Sequence, residues 1–208
     1  GHPDGLKEDA QQSIRLNRKG DLELFNLDGD EPLISFDAVP GRVNKMALNS
    51  RGDRLILGTA GGRIAAFNTL TGALVWRSRG VGSRVSTRSI MPSRDGLRVY
   101  SGGTDGVIRL WDLEEGQLLQ NLVGHRGAVN SLALSTDGQT LVSGSSHGEM
   151  GVWDVSRGVS FDPTPAPHGG AVSTQRIERI IRVSGAIMSV ALNQEKGWVL
   201  SSSTLEGV

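Results

Sequence analysis

A chain of 208 residues with 22 basic and 22 acidic side chains carries no net charge, so bulk electrostatics commits it to neither a polyanionic nor a polycationic partner. The absence of cysteine excludes disulfides and thiolate metal sites and fits a reducing compartment. No apolar run approaches the ~20 residues of a membrane-spanning helix, and residues 1–12 lack the basic start and apolar stretch of a secretory leader. An intracellular protein, cytoplasmic or nuclear and without a membrane span, is therefore expected. With 29 glycines against 7 prolines, the composition favours many short strands joined by tight turns.

Residues 1–12 read as a tail. Ser13 to Asn17 alternate as SIRLN, Arg18-Lys19-Gly20 turns the chain, and Asp21 to Leu27 alternate again. With Leu33 to Phe36, these make three strands over 13–37. A second unit over 42–78 has strands near 43–48, 54–59, 63–68 and 73–77. A third spans 83–123, its last strand near 117–123. A fourth spans 125–183, its last strand near 178–183 delayed by a segment at 156–177. That segment holds Pro163, Pro165, Pro167 and His168, and its alternating prolines favour an extended course. A stretch so long inside a compact unit points to a functional or a disordered loop. Two strands over 186–208 bring the expected total to seventeen.

The third and fourth units are copies. Residues 83–112 superpose on 125–154 at a constant offset of 42, and 10 of 30 positions are identical, among them Gly102/Gly144, Trp111/Trp153 and Asp112/Asp154. Self-similarity at this period marks a repeat architecture. The period, the Trp-Asp ending and Gly124-His125 at the start of the later copy resemble the WD-repeat β-propeller family. The resemblance implies an all-β propeller of four-stranded antiparallel blades, with about four to five blades represented; a larger ring is the favoured expectation, the alternative being a four-bladed ring closed by the last two strands joining the N-terminal ones. Phe25, Phe67, Trp111 and Trp153 become equivalent wedges around a common axis. The stretch Ala66 to Trp76 also resembles the repeat of quinoprotein-type propellers at Ala66, Thr71, Gly72 and Trp76, with Asn68 replacing Asp.

In the WD-repeat family a blade is often tied by a hydrogen-bonded set of His, Ser, Asp and Trp. The resemblance places Ser101, Asp105 and Trp111 in these roles in one copy, with Ser83 at the His position. In the other it places His125, Ser143 and Trp153, with His147 at the Asp position. Their expected role is structural, because a buried indole N–H needs an acceptor, so none is assigned to catalysis. The four histidines show no ligand spacing, and the glycine runs lack the Lys-Ser/Thr of a phosphate loop, so neither a metal nor a cofactor is expected.

The neutral total conceals segregation. Residues 38–100 hold 11 basic and 2 acidic side chains, with no acid between Arg54 and Arg94. On the propeller pattern Arg79 and Arg84 fall on the connection between two blades, with Arg126 equivalent to Arg84 one blade on. Arginine there suits bidentate contacts to carboxylate or phosphate. These three, His147 and the 156–177 loop are the candidate contacts. The expected role is a non-enzymatic scaffold that binds other proteins within an assembly, an acidic segment being one suited partner. The alternatives are a quinoprotein-like enzyme or cofactor-binding propeller, and an RNA-contacting subunit of a ribonucleoprotein. Nucleic acid draws less support, because only Trp76 and Tyr100 lie among the basic residues.

Overall fold

The computed structural model describes residues 12–16, 22–26, 32–36, 41–82, 84–156, 173–193 and 197–204, and among them every regular element is a strand. The first sheet is β1 (Gln12–Leu16), β2 (Leu22–Asn26) and β3 (Pro32–Ser35), each antiparallel to its neighbour. The second is β4 (Val43–Leu48), β5 (Arg54–Thr59), β6 (Ile64–Asn68) and β7 (Leu74–Arg77). The third begins with β8 (Thr87–Pro92), β9 (Arg98–Gly103), β10 (Ile108–Asp112) and β11 (Leu118–Val123). The fourth begins with β12 (Val129–Leu134), β13 (Thr140–Ser145) and β14 (Glu149–Asp154). After β15 (Ser173–Arg176) comes β16 (Arg179–Arg182), which completes the fourth sheet on the far side of β14, and β17 (Ile187–Asn193) with β18 (Trp198–Ser203) form the last pair.

One strand departs from the sequence expectation. Ser173–Arg176 falls within the segment read as a loop, yet β15 lies parallel to β11 and gives the third sheet a fifth strand. The chain leaves the fourth sheet at Asp154, pairs with the outer edge of the third, and returns as β16 to finish the fourth. An outer strand offers unpaired backbone groups, and β15 satisfies those of β11. Gln175 fastens the strap by donating Nε2 to the Asp154 carbonyl at 2.9 Å.

The sheets pack through their faces, and each third-strand aromatic faces the sheet before it. Phe67 lies among Leu22, Leu24 and Phe36 of the first sheet, its ring edge-on to Phe36 with centroids 5.9 Å apart. Trp111 lies among Ile56, Ile64 and Ala66 of the second, and Trp153 among Tyr100, Ile108 and Leu110 of the third. Phe25 is buried at the equivalent position of β2. Between sheets the first strands touch most: β4 meets β8, β8 meets β12, and β12 meets β17. They are the inner wall of the propeller.

Antiparallel alternation sorts the turns onto two ends. The β4–β5, β8–β9 and β12–β13 turns share the lower end, where they grip one another. Asn49 donates Nδ2 to the Gly96 carbonyl at 3.1 Å, Arg51 donates Nε to the Asp95 carbonyl at 3.1 Å, and Arg94 donates to the carbonyls of Ser135 and Leu134 at 3.1 and 3.0 Å. Within the middle turn, the Asp95 carboxyl is held below the usual range. Burial pushes it up, but hydrogen bonds from the Ser93 hydroxyl and the Leu97 N–H, with Arg98 and Arg51 nearby, outweigh that. The β5–β6 and β9–β10 loops and the links between sheets share the upper end, as the Ala60–Ser86 bridge shows.

Candidate partner-binding face

Two buried hydrogen-bonded chains support the upper end, and they differ. In the fourth sheet Trp153 donates its indole N–H to Ser143 Oγ at 2.8 Å, and that hydroxyl lies 2.6 Å from His125 Nε2. The Nδ1–H tautomer suits this site, because the hydroxyl can donate to Nε2 while accepting from the indole, and Nδ1 faces a carboxylate. The residue facing Nδ1 is Glu149, with Oε2 at 3.6 Å; the two side chains are 0% and 3% exposed. Burial lowers the His125 pKa, and Glu149 only partly offsets this.

Glu149 supplies the carboxylate that the copy lacks at His147, and it also accepts the backbone N–H of Arg126 at 3.0 Å. Arg126 Nε and Arg182 Nη2 each lie 3.9 Å from its other oxygen. The sequence reading missed this residue. A signal existed: Glu149 aligns with Val107 in the sister copy, and a charge at an apolar position needs a buried partner.

In the third sheet the chain is shorter. Trp111 donates to Ser101 Oγ at 2.8 Å, and Asp105 stays out of this contact. Its carboxylate instead takes both guanidinium nitrogens of Arg109, at 2.6 and 3.2 Å. Ser83, at the His position, lies outside the described residues.

The basic cluster of the sequence is divided by the topology. Arg51, Arg54 and Arg94 go to the lower end and are spent on turns. Arg42, Lys45, Arg63, Arg79, Arg84 and Arg88 gather at the upper end around the β5–β6 loop and the link from β7 to β8. None of their side chains has an ion pair or hydrogen bond among the described residues. Glycines make this crowding possible: at Gly62, with φ +65°, a Cβ would stand 2.6 Å from Val81.

Arg79 and Arg84 are exposed, and Arg126, 76% exposed, sits on the equivalent link one sheet on. His147 is exposed beside it, its ring against Gly127, where a Cβ would meet Nδ1. Pro163, Pro165, Pro167 and His168 lie outside the described residues. The segment is described only at Ser156 and from β15 onward, where a lower cleft of about 350 Å³ is lined by Arg98, Tyr100, Asp154, Gln175 and Glu178.

Residues 80–112 and 116–154 match the family model described as WD domain, G-beta repeat. A stretch of 37 residues, 18% of the chain, is 51% identical to Autophagy-related protein 16 of Arabidopsis thaliana, of whose length it spans 7%. In structure the chain is similar to the C-terminal WD40 domain of Sif2, with a TM-score of 0.74 and 17% identity over 93% of this chain and 52% of that one. It is also similar to the computationally designed Ika8 protein, with a TM-score of 0.67 and 21% identity over 92% of this chain and 55% of that one. For the designed Ika4 protein the TM-score is 0.62 and the identity 22%, over 84% of this chain and 99% of that one. The chain thus spans about half of the Sif2 domain. The third and fourth sheets match the WD repeat, and the fold of the chain is that of a β-propeller, as in the WD40 domain of Sif2.

Proposed function

We propose that the protein is a non-catalytic scaffold that holds an acidic segment of another protein on its upper face. One observation carries this reading: among the described residues Arg42, Lys45, Arg63, Arg79, Arg84 and Arg88 at that end are unspent, while the carboxylates there are engaged. Asp105 is paired with Arg109, and Glu149 is buried beneath Arg126. Asp53, Asp95, Asp112, Glu114, Asp137 and Asp154 lie on the lower turns instead. The propeller is therefore polarised along its axis, which steers an acidic partner to one face and turns it away from the other. The Ser–His–carboxylate set at His125 gives no nucleophile, because Ser143 is fully buried and its hydroxyl is held between an indole and an imidazole. A cofactor-binding role needs a stacking aromatic at the channel mouth, and none lines the upper cleft among the described residues.

The test is a charge reversal. Arg79→Glu and Arg84→Glu combined with Arg126→Gln, which sets no second carboxylate against Glu149, should abolish binding of a Glu-rich peptide in titration calorimetry, with the thermal melt little changed. Wild-type affinity that persists in the variant, or that ignores salt between low and physiological strength, would exclude the upper face as the contact.

A further inference from the structure

The inner strands share an irregularity that no sequence pattern announces. Pairing of the first strand with the second skips one residue in four sheets, at Asn44, Arg88, Asn130 and Met188. A bulge re-aims the skipped side chain. In the fourth sheet this serves cohesion: Asn130 donates Nδ2 across to the Ile187 carbonyl at 2.9 Å. The following position does the same in the third sheet, where Ser89 donates its hydroxyl to the Val129 carbonyl at 3.0 Å.

The seam between the second and third sheets makes neither tie. The Asn44 amide has no partner among the described residues, and Lys45 stands where Ser89, Ser131 and Ser189 stand elsewhere. The seam opens into a cleft of about 500 Å³ lined by Arg42, Asn44, Lys45, Ser86, Thr87 and Arg88. Among the described residues its three cations face no carboxylate.

We propose that this cleft binds a phosphate monoester, carried as phosphoserine or phosphothreonine by the acidic segment that the upper face holds. The proposal rests on the reading above and makes it specific. A carboxylate brings one charge and leaves two of the cations opposed, whereas a phosphate monoester brings about −1.5 to −2 and three acceptor oxygens. Two guanidinium forks and an ammonium match that demand, and Asn44 adds a neutral donor. The volume exceeds that of the phosphate itself, leaving room for the side chain that carries it and its neighbours. RNA fits less well: its phosphodiesters bring one charge each, and among the described residues no aromatic lines the cleft for a base to stack on.

The test uses a Glu-rich peptide with one central serine, with and without phosphate, against wild type and Lys45→Ser/Arg88→Asn. That variant installs residues the chain itself carries at these positions in the fourth sheet, so its fold is preserved; Arg88→Asn alone serves as the second variant. Phosphorylation should tighten wild-type binding at least tenfold. In the variants, which lose part of the general attraction for any acidic peptide, the two peptides should bind with about equal affinity, so the gain from phosphate disappears. Equal wild-type affinity for the two peptides, or a gain that survives in both variants, overturns the pocket and leaves the acidic-segment reading standing. If neither peptide binds but inorganic phosphate shifts the Arg88 side-chain resonance, the pocket stands and the acidic-segment reading falls. Failure of all three probes removes both. Tighter binding of a single-stranded RNA of equal charge than of the phosphopeptide also overturns the proposal.

Discussion

Ser101 and Ser143 occupy equivalent positions, and both are replaced by alanine with the same loss of one oxygen, yet the two changes should differ in cost. Both side chains are buried, at 5% and 0% exposure. Ser101 Oγ serves one buried group, the Trp111 indole N–H at 2.8 Å. Ser143 Oγ serves two, accepting from Trp153 at 2.8 Å and meeting His125 Nε2 at 2.6 Å. Each buried polar group left without a partner costs about 1–3 kcal/mol. Ser101→Ala should therefore lose about 1–3 kcal/mol and Ser143→Ala roughly twice that. Urea melts by fluorescence with a common slope give both values. A further check is Ser143→Ala in a His125→Leu background, where only the indole is orphaned and the cost should drop towards the Ser101 value. Equal losses in the two single variants would show that the imidazole draws nothing from Ser143.

Three other outcomes follow from packing and ionisation. Trp111→Ala empties a site walled by Ile56, Ile64 and Ala66 and should cost about 3–5 kcal/mol in denaturant melts; a loss under about 1 kcal/mol contradicts its place between sheets. For His125 the folded pKa is lowered by burial, so below the unfolded value of about 6.5 the unfolded chain takes up a proton that the folded one refuses. Stability should fall as the pH drops from that value towards the folded pKa and stay flat above it, and His125→Gln should remove this acid-side slope. Tyr100 is the single tyrosine, so alkaline absorbance reports it alone. Burial, opposed by Arg98 and assisted by Asp95, raises its pKa from 10.0 to about 12, so tyrosinate should form near 12 in the folded protein and near 10 in denaturant.

The strands were legible because their causes are local. Alternation marked β1 and β2, the offset of 42 aligned Trp111 with Trp153, and turn residues such as Asp95-Gly96 and Asp137-Gly138 bounded the first and second strands of each copy. Asn68 replaces Asp without loss, since its Oδ1 accepts the N–H groups of Leu70 and Thr71 as Asp112 accepts those of Glu114 and Glu115. The strap at β15 was not legible, because STQR pairs with β11 across some fifty residues and carries no apolar alternation of its own.

The functional face was half legible, for a reason that lies in antiparallel topology. A run of arginines in sequence reads as one patch, but successive turns fall at opposite ends of a sheet. Arg84 and Arg94 are ten residues apart with β8 between them, so one reaches the upper end and the other closes a lower turn. Conversely Arg42 and Arg88 are far apart in sequence and meet at one cleft, because β4 and β8 adjoin on the inner wall. Lys45 in place of Ser89 or Ser131 reads as one polar residue for another. Only the register gives it meaning, since from that position Ser89 bonds across its seam, whereas Lys45 leaves its seam open and charged. The seams on the two sides of β12 are each tied by one polar side chain, Ser89 or Asn130, whereas the seam between β4 and β8 carries Lys45 and Arg88 and no such tie among the described residues.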